Sequence, residues 1–253
     1  MRAAFAERFA KGGIAAFLFD YRCIGDSDGK PRNLVDPYRH VQDWEAAIDH
    51  VRALASINRE RIALWGTSLS GGHVIVAASH DPDIRAIVCQ VPFVDSIATL
   101  KGTRLGQGVR FLMAAVRDVF RMLTRRGAYC VPVVGAPGTV ACLTAPEAKL
   151  GYLSIIPEGS KWKNECPARV LFTAALYRPT ALAKRVKCPA LIIIGERDSV
   201  VSPTDAEKAA LKMQKAQIVK MPICHFDVYT GKWFDKAVEV EVCFLKEHLM
   251  HAH

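Results

Sequence analysis

The stretch Arg61 to Ala77, RIALWGTSLSGGHVIVA, constrains this chain more than any other. A short apolar run, Ile62 to Trp65, stops at Gly66-Thr67-Ser68-Leu69-Ser70-Gly71-Gly72, and a helix-compatible apolar segment follows at once. Strand, tight turn, helix is the context in which a G-x-S-x-G type sequence raises a serine hydroxyl above the sheet edge on a strained turn. Small residues two before and two after the serine let strand and helix backbones approach closely. Gly66 supplies the first, and Ser70 stands where the second glycine usually is. Ser68 is the candidate nucleophile. Ser70 is the alternative, in the frame Ser68-Leu69-Ser70-Gly71-Gly72, but with Gly66 directly after the strand it falls in the first helical turn.

Around this stretch, strands and helices alternate. Ala3 to Ala10 reads as a helix ended by Gly12-Gly13, and Ile14 to Phe19 as a strand buried on both faces. The segment Asp20 to Pro31 is a loop, and Asp36-Pro37 opens a helix to about Ala55. Ile84 to Val91 is a further strand. This order predicts parallel strands with crossover helices, hence a doubly wound α/β sheet. The pattern then changes. Leu105, Val109, Leu112, Met113, Val116, Val119, Phe120 and Leu123 repeat at helical spacing, with Arg110, Arg117 and Arg121 on another face. That predicts a lid helix packed on the domain by its apolar side, with an interfacial membrane helix as the alternative. Tyr129 to Glu165, broken by Pro132, Pro137, Pro146 and Pro157, reads as an irregular cover. Alternation resumes with the strand Ala190 to Gly195, a helix from Pro203, a strand Ile218 to Met221 and a closing helix Phe234 to Leu249. The expected organisation is a core in two parts, 1–91 and 186–253, with a lid insertion at 92–185.

In an open parallel sheet, functional groups gather outside the carboxyl ends of the strands. Three candidates stand at such ends: Ser68, Asp198 in the loop Glu196-Arg197-Asp198-Ser199, and His225 in the loop Pro222 to Asp227. A serine hydroxyl is too weak an acid to attack a carbonyl unaided, so an imidazole must take its proton. A carboxylate behind the imidazole fixes its tautomer and stabilises the imidazolium. Glu196 is the rival acid, two residues nearer the strand. Asp227 reads as a local cap, and His73, inside the helix after the turn, as a packing residue.

Composition narrows the field. At 253 residues and 51% hydrophobic, the chain has ample material for a packed core. No apolar run reaches the ~18 residues of a membrane span. Glu7, Arg8 and Lys11 interrupt the N-terminal pattern, so it does not read as an export signal, and the eight cysteines are expected as reduced thiols of a cytoplasmic protein, mostly in the core. None forms C-x-x-C, and Gly71-Gly72 belongs to no G-x-G-x-x-G or phosphate loop, so no metal, nucleotide or flavin is implied. The net charge of +9 is spread along the chain, as in a moderately basic enzyme with neither nucleic acid nor a membrane as partner. The three histidines from His248 to His253 read as a solvated terminus.

The residues Phe19-Asp20-Tyr21-Arg22, Trp65-Gly66-Thr67-Ser68 with Ser70-Gly71-Gly72-His73, Gly195-Glu196-Arg197-Asp198 and His225-Phe226-Asp227 with Tyr229 together resemble the α/β-hydrolase superfamily. Within it, the chain is similar to dienelactone-hydrolase-like, acetyl-xylan-esterase-like and X-prolyl-dipeptidyl-peptidase-like proteins, including fungal polyketide transferases. The resemblance implies an α/β-hydrolase fold with a lid and a serine hydrolase acting on a small ester or thioester. It also implies an oxyanion hole using the backbone N–H of Leu69. Acyl transfer, or a fold member with impaired catalysis, are its alternatives. Proteins of this kind carry further strands and a His-Gly type loop before the first helix, and that loop gives the second oxyanion donor. Here Met1-Arg2-Ala3 opens directly on the helix. The expectation is therefore that the Ile14–Phe19 strand pairs directly with the elbow strand, or that the sequence begins downstream of the true start.

Overall fold

The computed structural model describes residues 2–97 and 105–250. Its centre is a four-stranded, all-parallel sheet of β1 (Ala63–Thr67), β2 (Ala86–Gln90), β5 (Ala190–Gly195) and β6 (Ala216–Met221), in that spatial order. Every residue of β2 and β5 is buried, which is why AIVC and ALIIIG read as unbroken apolar runs instead of alternating ones. Crossovers between parallel strands put helices on both faces. One face is covered by α2 (Pro37–Ala53), α3 (Leu69–His80) and α7 (Pro203–Ala210) over Ile62, Leu64, Ile87 and Ile192. The other carries α1 (Arg2–Lys11) and the closing α8 (Gly231–Met250), with Phe5, Val88, Leu191, Met221 and Phe244 between them.

Local chemistry sets the helix starts. The Asp36 carboxylate accepts from the backbone N–H of Tyr38 and Arg39 with Pro37 in the first turn, and Ser202 accepts from the N–H of Asp205 ahead of Pro203. Each side chain satisfies donors that the helix cannot satisfy internally.

Three sequence expectations are corrected. Ile14–Phe19 forms no strand: it makes no ladder with β1, whose sheet partner is β2, and Phe17 and Leu18 are half exposed. An apolar run becomes a strand only where a partner offers its backbone groups. Here the segment instead lies along α2, with the Phe17 ring 5.4 Å from His50 and Phe19 edge-on to Trp44 at 5.1 Å. The stretch Tyr129–Glu165 is less irregular than its prolines imply. It contains α5 (Ala148–Ser154) and β3 (Cys130–Val131), which pairs antiparallel with β4 (Cys166–Pro167), just before the one-turn α6 (Val170–Thr173). Finally, only half the cysteines are core residues: Cys23, Cys89, Cys166 and Cys188 are buried, while Cys130 and Cys243 are exposed.

The long helix of this region, α4 (Leu105–Leu123), forms as its periodicity requires but packs the opposite way from expectation. Its inward face is Ala114, Ala115 and Asp118, and the large apolar side chains face outward. Small residues allow close approach. Asp118 makes the anchorage: buried completely, it accepts from the backbone N–H of Tyr129 and Arg169 and from the Arg169 guanidinium at 2.7 and 3.1 Å. Among the described residues, no helix is long and apolar enough to cross a membrane. His248 belongs to α8, where its ring meets Phe244 at 4.5 Å; His251 and His253 lie outside the described residues.

One buried group works against the fold. Glu241 of α8 is fully buried, and among the described residues neither carboxylate oxygen meets a donor in good hydrogen-bonding geometry. Burial raises its pKa from 4.5 to about 8, against a smaller opposing influence of the Trp65 indole. Because the folded-state value lies above the unfolded one, the folded chain holds the extra proton, and stability declines as pH rises from about 4.5 to about 8. Glu241→Gln, which keeps the shape and removes the charge, is therefore expected to be near neutral at pH 5. By pH 8.5 it should stabilise by on the order of 2–4 kcal/mol. Urea unfolding of both proteins at the two pH values checks this, and a pH-independent difference would contradict it.

Candidate active site

β1 ends at Thr67, and Ser68 links it to α3 with φ +54° and ψ −121°. A non-glycine residue held there is strained by about 1–3 kcal/mol, a cost that persists only where the surroundings over-determine it. They do so here. The Ser68 N–H donates to Gln90 O at 2.9 Å, and the Ser68 carbonyl accepts from Phe93 and Gly71. Gly66 is required, since a Cβ at that position would sit 2.3 Å from Ser70 O. A Cβ on Gly72 would lie 2.2 Å from Phe93 O, so the glycines after the serine are also contact residues.

The structure brings the three strand-end candidates into one row. Ser68 Oγ lies 3.0 Å from His225 Nε2, and His225 Nδ1 lies 2.6 Å from Asp198 Oδ2. The carboxylate can only accept, so Nδ1 carries the proton and Nε2 is left to accept from the serine hydroxyl. Asp198 and His225 are both buried. The other Asp198 oxygen accepts from the backbone N–H of Val200 and Val201 at 2.8 and 2.9 Å, which fixes the carboxylate plane. Leu69 is the first residue of α3, and its N–H is one of those a helix leaves without an internal partner, at the positive end of the helix dipole.

The rival residues lie elsewhere. Glu196 is exposed on the surface. Asp227 accepts from the Cys224 N–H and starts the turn after His225. Ser70 Oγ is bonded to the Tyr21 hydroxyl at 2.6 Å, and the Trp44 indole N–H donates to that same hydroxyl at 2.8 Å. His73 is buried and bonded through Nδ1 to the Tyr177 hydroxyl at 2.7 Å. Burial keeps its pKa well below the imidazole value and brings that of His40, stacked on Tyr21 at 4.1 Å, down to about 4. These imidazoles are neutral core groups at pH 7.

Two sets of supports escaped the sequence reading. Thr67 Oγ1 shares a hydrogen bond with the Tyr229 hydroxyl at 2.7 Å and accepts from Gln90 Nε2 at 3.0 Å, tying the elbow to the histidine loop. From the intervening segment, Glu147 Oε1 accepts from Ser199 N and Oγ at 2.9 and 2.8 Å, directly after Asp198. Tyr152 of α5 meets Phe226 edge-on at 6.1 Å, and Gly151 is closed against the same ring. No local pattern marks Glu147, which lies 52 residues from its partner. A hollow of about 630 Å³ bounded by Asp95, Arg178, Lys208 and Lys212 is lined by none of the residues of this row. Among the described residues, no group of three or more His, Cys, Asp or Glu is gathered as a metal site.

Against known proteins, residues 2–132 match the family described as serine aminopeptidase, S33. The chain is 33% identical over 243 residues to the quorum-quenching protein AidA of Acinetobacter baumannii, covering 96% of this chain and 80% of that protein. It is 24% identical to a thiohydrolase of Eupenicillium brefeldianum, over 95% of this chain and 79% of the fungal one. In three dimensions it is similar to the α/β hydrolase GrgF from a Penicillium species, with a TM-score of 0.81 at 22% identity, covering 98% of this chain and 85% of that one.

Proposed function

The chain belongs to the serine aminopeptidase S33 family and has the α/β-hydrolase fold, and on that premise we propose that it cleaves a carboxylic ester or thioester through an acyl-enzyme on Ser68. The observation that carries this reading is the unbroken hydrogen-bonded row from Ser68 through His225 to Asp198 on a left-handed elbow residue. As the Ser68 oxygen attacks the substrate carbonyl, His225 Nε2 takes its proton and Asp198 stabilises the resulting imidazolium. The Leu69 N–H, at the helix N-terminus, is the donor for the oxyanion that forms. His225 returns the proton to the leaving alkoxide or thiolate. A water then repeats the sequence on the acyl-enzyme, with His225 again the base. Segment 92–185 acts as a cap: Glu147 braces the loop of the acid, and α5 closes on Phe226 beside the histidine.

The thiohydrolase name of the fungal relative supports the thioester branch of the reading. Matched acyl groups presented as a nitrophenyl ester and as an aryl thioester are expected to give a burst of one chromophore per chain, absent in Ser68→Ala. Short acyl chains are expected to turn over and long ones not. Release without a burst in either series, together with unchanged turnover by Ser68→Ala, would overturn the proposal.

A further inference from the structure

Among the described residues, the outward face of α4 is an uncovered apolar stripe. Leu105, Val109, Leu112, Val116, Phe120 and Leu123 are between 47% and 86% exposed, and Met113 extends the patch. The positions 105, 109, 112, 116, 119 and 123 are separated alternately by four and three residues and hold only Leu and Val. That is the spacing of a helix–helix seam. Acid is missing from it, and so is base. At these exposures the stripe presents on the order of 700 Å², against roughly 800 Å² per partner in a standard protein interface.

The arginines of α4 decide what covers the stripe. An anionic lipid surface or an acidic protein would require them to reach outward, but all three are folded back onto their own chain. Arg110 donates to Gly138 O at 2.9 Å, the Arg117 guanidinium lies 4.3 Å from the Tyr129 ring centroid, and Arg121 donates to Arg126 O at 2.6 Å. Arg125 and Arg126 follow the last turn, beyond the stripe. What is left facing out is uncharged and apolar, and it is nearly symmetric end to end. A two-fold axis crossing α4 level with Ala114 sets Leu105 against Leu123, Val109 against Val119 and Leu112 against Val116 of a second, antiparallel copy. We infer that α4 is the interface of a homodimer, in which two identical stripes close on each other as an isologous seam.

Light scattering of the full chain after size exclusion tests this, expecting about twice the 27.8 kDa chain mass at ~10 μM. Leu112→Glu with Val116→Glu, both exposed positions, should weaken the dimer at least 100-fold and leave the circular dichroism spectrum unchanged. Leu105→Lys with Leu123→Lys should also give monomers, whereas Leu105→Lys with Leu123→Glu should restore the dimer by pairing each lysine with the partner's glutamate. That recovery separates loss of an interface from loss of folding. A wild-type chain that stays monomeric at ten times that concentration would overturn the inference. So would a dimer indifferent to the glutamates, charge reversal without recovery, or a monomer that sediments with phosphatidylglycerol vesicles through the same stripe.

Discussion

His225→Ala is expected to lower kcat/KM for a short-chain ester by about 10⁴ to 10⁶, and Asp198→Asn by about 10⁴, with little change in unfolding midpoint for the second. The two numbers differ because the residues do different things. Without the imidazole, Ser68 Oγ loses the one side chain among the described residues that is hydrogen-bonded to it and can accept its proton. With asparagine at 198, the imidazole stays, but the group 2.6 Å from Nδ1 is no longer a charged acceptor. The ring then loses both its tautomer and its partner when it becomes positive. The double variant should fall no further than His225→Ala alone, as expected of three groups that act as a unit. Steady-state kinetics of the three variants check this. Additive losses in the double variant, or an Asp198→Asn enzyme within tenfold of wild type, would contradict it.

The largest stability loss is expected for Asp118→Ala, about 3–5 kcal/mol, because it leaves the Arg169 guanidinium and two backbone N–H groups without their acceptor in a buried place. Burial alone would raise the Asp118 pKa, but the hydrogen bonds from Arg169 and from the backbone of Tyr129 and Arg169 outweigh it and hold it below the ordinary carboxylate value. A depressed folded-state pKa means that this contribution is complete above the unfolded value of about 4 and is lost as pH falls through the folded one. Urea unfolding at pH 7 should therefore separate wild type from Asp118→Ala, and the gap should narrow on acidification. If the Arg169–Asp118 contact is superficial, the loss will be under 1 kcal/mol and independent of pH.

Much of this was legible beforehand, for identifiable reasons. Buried strands such as Ala190–Gly195 are continuous apolar runs bounded by turn residues, and Asp36-Pro37 and Ser202-Pro203 are local helix starts. Ser68, Asp198 and His225 could be grouped because each follows a strand, and a parallel sheet brings strand ends to one rim. What could not be read depends on partners distant in sequence. Ile14–Phe19 has the composition of a strand and lacks a neighbouring ladder, which its own residues do not encode. The periodicity of α4 fixes a helix and an apolar face but not which way that face points. Ala114, Ala115 and the acceptor demand around Asp118 turned it outward. Glu147 carries no motif because its role is to meet Ser199, 52 residues further along the chain.

The proposed chemistry rests on the reactivity of one hydroxyl, that of Ser68. Intact-mass analysis after treatment with a fluorophosphonate should show one adduct per chain, carried on the tryptic peptide Ile62–Arg85. It should vanish in Ser68→Ala and persist in Ser70→Ala. A folded, unlabelled wild-type chain, or an adduct that survives Ser68→Ala and follows Ser70 instead, would contradict it.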